Sequence, residues 1–128
     1  MVFVSFAEYH VQHQFDHLHY IGWPDFGAPK ETDDIITLVK TVRKIVAQKT
    51  DNVKILVHCS AGVGRTGTFI ALYQLMEILD EKVAEYKRSE SSMSKNITID
   101  VFNTTFNLRK KRNQMVSLFN TFHSGNCI

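Results

Sequence analysis

The chain has 128 residues, a length that suits one domain. Hydrophobic residues make up 44%, enough for a packed core and too many for a disordered chain. A net charge of +2 is too small to point to nucleic acid, and no apolar run approaches the length of a membrane span.

The opening Val2 to Phe6 reads as a strand; it is short and lacks the basic start of a signal peptide. Phe15 to Ile21 reads as a second strand, with a hairpin connection between the two. Gly22 to Pro29 holds two prolines and two glycines and is a loop. Thr32 or Asp33 can cap a helix that runs to about Gln48, with Ile35, Val39, Val42 and Val46 at helical spacing and Leu38 and Ile45 widening the stripe. After a turn at Thr50-Asp51-Asn52, Val53 to Val57 is a short β-branched run of the kind buried in the middle of a sheet. A loop of small residues, Ser60 to Gly64, leads into a long helix from about Arg65 to Tyr86, whose buried side carries Leu72, Leu75, Met76 and Leu79. Lys87 to Asn96 is polar and reads as an exposed loop. A last helix runs from about Ile99 to Arg112, with Val101, Phe102, Phe106 and Leu108 apolar. Strand, helix, strand, helix implies an α/β unit with one crossover.

The densest signal is Val57-His58-Cys59-Ser60-Ala61-Gly62-Val63-Gly64-Arg65-Thr66-Gly67-Thr68. A strand followed by a tight loop and a helix start aims backbone N–H groups and a helix N-terminus at one point, which suits a phosphate dianion. The loop residues Ser60, Ala61, Gly62, Val63 and Gly64 are small enough for the backbone itself to touch the ligand. The same N–H groups stabilise a thiolate at Cys59, the nucleophile needed for attack on phosphorus. Arg65 can fork two hydrogen bonds onto phosphate oxygens. A competing pattern, Gly62-Val63-Gly64-Arg65-Thr66-Gly67, matches the dinucleotide-binding fingerprint. That fold requires a further strand ending in an acid, whereas this helix runs into the polar Lys87-Arg88-Ser89-Glu90 stretch.

The second signal is His19-Tyr20-Ile21-Gly22-Trp23-Pro24-Asp25-Phe26-Gly27-Ala28-Pro29. Cleavage of an aryl phosphate releases a phenolate, and a carboxyl on a mobile loop can protonate it. Asp25 is the candidate acid. Trp23 and Pro24 can stiffen the loop, flanking glycines let it hinge, and Trp23 and Phe26 are expected at the substrate.

On these two motifs the chain, from about Val11 to Val116, resembles the tyrosine-specific protein tyrosine phosphatases. The cradle fits their pattern of His-Cys, five residues, Arg, then Ser or Thr, and the loop fits their Trp-Pro-Asp motif. The resemblance implies a partial protein tyrosine phosphatase fold: a central sheet with a strand–phosphate loop–helix unit and flanking helices. It implies phosphotyrosine-containing proteins as partners and a phosphocysteine on Cys59. Asp25 would first protonate the tyrosyl oxygen and later deprotonate water. Thr66 would assist the cysteine as leaving group and His58 would help set its acidity, with no metal or cofactor. Family domains are roughly twice this length, so residues 1–128 read as a single, apparently truncated catalytic domain. The family usually places a water-positioning Gln after the last helix, and here that position is Ser117. This departure keeps a second expectation in play, a phosphotyrosine-binding module or inactive fragment without turnover.

Two cysteines, Cys59 and Cys127, are fewer than a secreted scaffold of this size would carry, so both are expected to be reduced and the location cytoplasmic. His10, His13, His17 and His19 crowd the first strands; with no acid or Cys in register they are expected to serve packing and surface roles rather than metal binding. Arg109-Lys110-Lys111-Arg112 is expected to be a solvated helix end suited to the negative end of the dipole.

Overall fold

A computed structural model of the chain describes residues 2–6, 11–24, 28–29, 31–50, 53–88 and 96–117. Two antiparallel strands, β1 (Val2–Phe6) and β2 (Val11–Phe15), pair with Val2 opposite Phe15 and Phe6 opposite Val11. The hairpin expected at this end is therefore present, but its second arm is not Phe15 to Ile21. Pairing runs out at Phe15, opposite Val2 at the start of β1, and residues 16–21 leave the ladder, with Ile21 exposed. His17 and His19 stack there with ring centroids 5.9 Å apart.

Three helices carry the rest: α1 (Thr32–Ala47), α2 (Gly64–Arg88) and α3 (Val101–Lys111). The apolar stripe of α1 lands as its spacing requires, with Ile35 and Val39 buried and Val39 fully so. Its cap differs from expectation. Glu31 is the N-cap, with no side-chain bond, and Asp33 and Asp34 in the first turn complement the dipole instead. α3 starts later than its apolar run suggests because Asp100 caps it, accepting from the Asn103 N–H at 2.8 Å.

α2 lies between the other two helices and packs on both. Against α1 it places Phe69 with Trp23, Ile35 and Val39, lined further by Tyr20, Leu72, Tyr73 and Met76. Against α3 it places Ala71 with Val63, Leu108 and Met115, and Ile70 touches both clusters. The buried residues of α2 are thus Thr66, Gly67, Phe69 and Ala71 near its start; Leu72 and Met76 are half-buried and Leu79 is exposed. An Arg43–Asp80 ion pair at 2.8 Å joins α1 to α2 on the surface, where such pairs stabilise little.

Residues 53–57 form no ladder among the described residues, and Leu56 is 91% exposed. An apolar run becomes a strand only when a neighbour takes up its N–H and C=O groups. Only Val57 turns into the α1–α2 cluster. On α3, Thr104 and Leu108 are buried while Val101, Phe102 and Phe106 are not; the two Phe rings stack on each other 6.1 Å apart on the outer face.

Candidate active site

The loop after Val57 brings Cys59 to the start of α2. Cys59 is half-buried and is a free thiol. The turn from Ser60 to Val63 folds back so that the Gly62 N–H donates to Cys59 Sγ at 3.2 Å. This turn needs the left-handed region at Gly62, where φ is +68°. Partial burial pushes the thiol up. The Thr66 hydroxyl and the backbone N–H groups of Thr66, Gly62 and Val63 together push it down further, so that it lies at about 7 against an ordinary 9.0. Thr66 Oγ1 is buried and closes no hydrogen bond of regular geometry, so it acts on the sulfur as a nearby donor.

Arg65, in the first turn of α2, spans the mouth of this loop. Its Nη2 donates to Ser60 Oγ at 2.8 Å and its Nη1 to the main-chain carbonyl of Trp23 at 3.1 Å. Trp23 is held in the α1–α2 core at 8% exposure. The structure therefore joins the cradle to the start of the Trp-Pro-Asp segment. Asp25 and Phe26 lie outside the described residues. His58 is exposed beside the thiol.

Residues 112–117 close the cradle from below, a role the sequence did not announce. Val63 O accepts from two amides, Gly67 N inside α2 and Val116 N beyond α3, each at 3.0 Å. A Cβ on Gly64 would lie 2.8 Å from Ser117 O, and one on Gly67 would fall onto Val116 N. Glycines 62, 64 and 67 thus serve a turn and close backbone packing, which accounts for the fingerprint-like spacing without a dinucleotide. The basic stretch after Leu108 also departs from the expected solvated helix end. Arg109 Nε donates to Met115 O at 2.9 Å, and Arg112 Nη2 reaches Ala61 O at 3.4 Å. The signal available in sequence was the use of Arg at 109 and 112 around Lys at 110 and 111, because a planar fork suits fixed carbonyl acceptors better than an ammonium.

The arrangement can hold a thiolate, and the same inward N–H groups and Arg65 can hold the oxygens of a phosphate brought to that sulfur.

The family profile described as protein-tyrosine phosphatase matches residues 2–124. Receptor-type tyrosine-protein phosphatase eta of Homo sapiens is 37% identical over 113 residues, 88% of this chain and 7% of that protein. Tyrosine-protein phosphatase 69D of Drosophila melanogaster is 38% identical over 103 residues, 80% of this chain and 6% of the relative. Receptor-type tyrosine-protein phosphatase epsilon of Homo sapiens is 41% identical over 98 residues, 77% of this chain and 12% of the relative. The chain thus spans a small part of the length of these relatives. No solved structure matches it. No helix among the described residues is long and apolar enough to cross a membrane. With a matching profile over nearly its whole length, the chain belongs to the protein-tyrosine phosphatase family.

Proposed function

We propose that the chain hydrolyses phosphotyrosine in proteins through a phosphocysteine intermediate. The observation that carries this reading is the Gly62 N–H held on Cys59 Sγ, with Arg65 across the same loop. In the first step the Cys59 thiolate attacks phosphorus while the bond to the tyrosyl oxygen breaks, and Asp25 gives that oxygen its proton. In the second, Asp25 takes a proton from water, the water oxygen attacks phosphorus, and the sulfur leaves as thiolate with the Thr66 hydroxyl beside it. Ser60 to Gly64 supply the N–H groups of the cradle, Arg65 clamps the equatorial oxygens, His58 tunes the sulfur, and Trp23 and Phe26 flank the substrate. The reaction so written uses no metal or cofactor.

In this reading residues 53–57 are the strand that feeds the phosphate loop of the family's central sheet, a role supported by their apolar, β-branched composition. A working thiolate requires a reducing compartment, so the cytoplasm, or the cytoplasmic side of a membrane, is the proposed location.

One observation favours a second reading. Ser117 stands against Gly64, where the family pattern has a Gln, and Ser cannot reach as far toward a water. A phosphotyrosine-binding module that hydrolyses the phosphocysteine slowly or not at all would result. Pre-steady-state assay with p-nitrophenyl phosphate separates the two. A burst of p-nitrophenol followed by sustained turnover supports hydrolysis; a burst without sustained turnover, or saturable phosphotyrosine-peptide binding with no release of p-nitrophenol, replaces it with the binding module.

A further inference from the structure

The peptide bond between Ala61 and Gly62 has two faces at work. Its N–H, on Gly62, donates to Cys59 Sγ at 3.2 Å. Its C=O, on Ala61, accepts from Arg112 Nη2 at 3.4 Å. No described peptide bond is cis, and in a trans peptide the C=O and N–H of one plane point in opposite directions. Whatever fixes the carbonyl on the outside therefore fixes the N–H on the inside. Gly62, at φ +68°, has the torsional freedom to let this plane rotate, so its own backbone does not lock it. A Cβ at Gly62 would lie 3.1 Å from Arg112 Nη2, so the guanidinium packs close against this residue as well as on the Ala61 carbonyl.

We propose that Arg112 is a positioning residue of the phosphate loop: by holding the Ala61 carbonyl it keeps the Ala61–Gly62 peptide turned with its N–H toward the sulfur and toward any oxyanion bound there. Arg112 acts through the peptide and touches neither substrate nor sulfur. Its positive charge on the carbonyl also polarises the amide, which strengthens the N–H as a donor. Arg109, one turn earlier, ties the same segment to Met115 O and so sets where Arg112 begins its reach. The other charged or titratable groups placed around Cys59 by the sequence are His58 beside it and Arg65 in α2. This inference rests on the cradle reading above.

The test uses the full chain and needs no turnover. Cys59 alkylation by iodoacetamide, a neutral reagent, is followed against pH by peptide mass spectrometry, which separates Cys59 from Cys127. Protection by inorganic phosphate gives its affinity, and near-UV circular dichroism monitors the fold. Arg112→Met is expected to move the alkylation midpoint up by about half to one pH unit and to weaken phosphate by about three- to tenfold, with the fold unchanged. Arg112→Lys, which keeps charge but loses the planar fork, is expected to fall between Met and the parent, and it carries the test should the Met variant not fold. A thiol as acidic and a phosphate as tightly held as in the parent, in either folded variant, overturns the role of Arg112 while leaving the cradle reading in place. A parent Cys59 that titrates as an ordinary thiol without phosphate protection overturns both.

Discussion

Arg65 Nη1 donates to the main-chain carbonyl of Trp23 at 3.1 Å, across 42 positions of sequence. One guanidinium thereby touches both motifs that carry the chemistry, with Ser60 on its other nitrogen. In the proposed reading an oxyanion entering the cradle would compete for the same donors, so Arg65 would link the ligand to the segment that carries Asp25.

Trp23 is the chain's single tryptophan, and this makes the link measurable. Intrinsic fluorescence of the Cys59→Ser variant is expected to shift saturably on addition of a phosphotyrosine peptide. Binding shown by calorimetry with no change in emission would disconnect Trp23 from the occupied site.

Cys59→Ser itself is expected to abolish turnover while phosphotyrosine-peptide binding persists, because Ser keeps the loop but offers no thiolate at neutral pH. Residual hydrolysis above the background rate would move the nucleophile elsewhere.

Asp25→Asn is expected to slow cleavage of a phosphotyrosine peptide by about 10²- to 10⁴-fold and to slow an aryl phosphate with a far more acidic leaving group much less. Comparing the two ratios checks the role, and equal losses on both would remove Asp25 from proton transfer to the leaving group.

The thiol of Cys59 is lowered from 9.0 to about 7 by the hydroxyl and N–H groups around it. The fold therefore favours the thiolate. That contribution to stability is fully present above pH 9.0 and is lost as pH falls through about 7. Alkylation of Cys59 should rise through pH ~7, and peroxide should oxidise it to a sulfenic acid that dithiothreitol reverses. Thr66→Ala, which removes the side-chain donor, should carry the alkylation midpoint upward; a midpoint unmoved by that change would leave the backbone alone responsible.

Gly67→Ala is expected to cost about 1–3 kcal/mol, since its methyl would fall onto Val116 N, a backbone atom that cannot turn aside. Chemical denaturation measures this. An unchanged midpoint would show that residues 115–117 do not press on α2 in solution.

The candidate cradle was legible as a motif because every part of it is local: thiol, glycine turn, helix start and arginine lie within twelve residues, from Val57 to Thr68. The helices were legible from periodicity, to within a turn at each end. What escaped depends on partners distant in sequence. Val53 to Val57 has the composition of a strand, but composition cannot supply the neighbour that makes a ladder. The second arm of the hairpin was misplaced because its register follows β1 rather than its own apolar pattern. Arg109 and Arg112 read as a solvated helix end because their acceptors, Met115 O and Ala61 O, are main-chain atoms that no side-chain pattern marks. The buried face of α2 lies nearer its start than expected, since Gly67 and Ala71 admit the segment after α3 where larger residues would hold it off.

The carbonyl of Val63 serves two amides at once, one from the first turn of α2 and one from Val116. Neither bond can open without changing the other's acceptor. Amide hydrogen exchange at Gly67 and Val116 should accordingly follow one common opening event. A segment nearly fifty residues downstream of α2's first turn then unfolds with it, and the floor of the phosphate cradle and its far end form one cooperative unit.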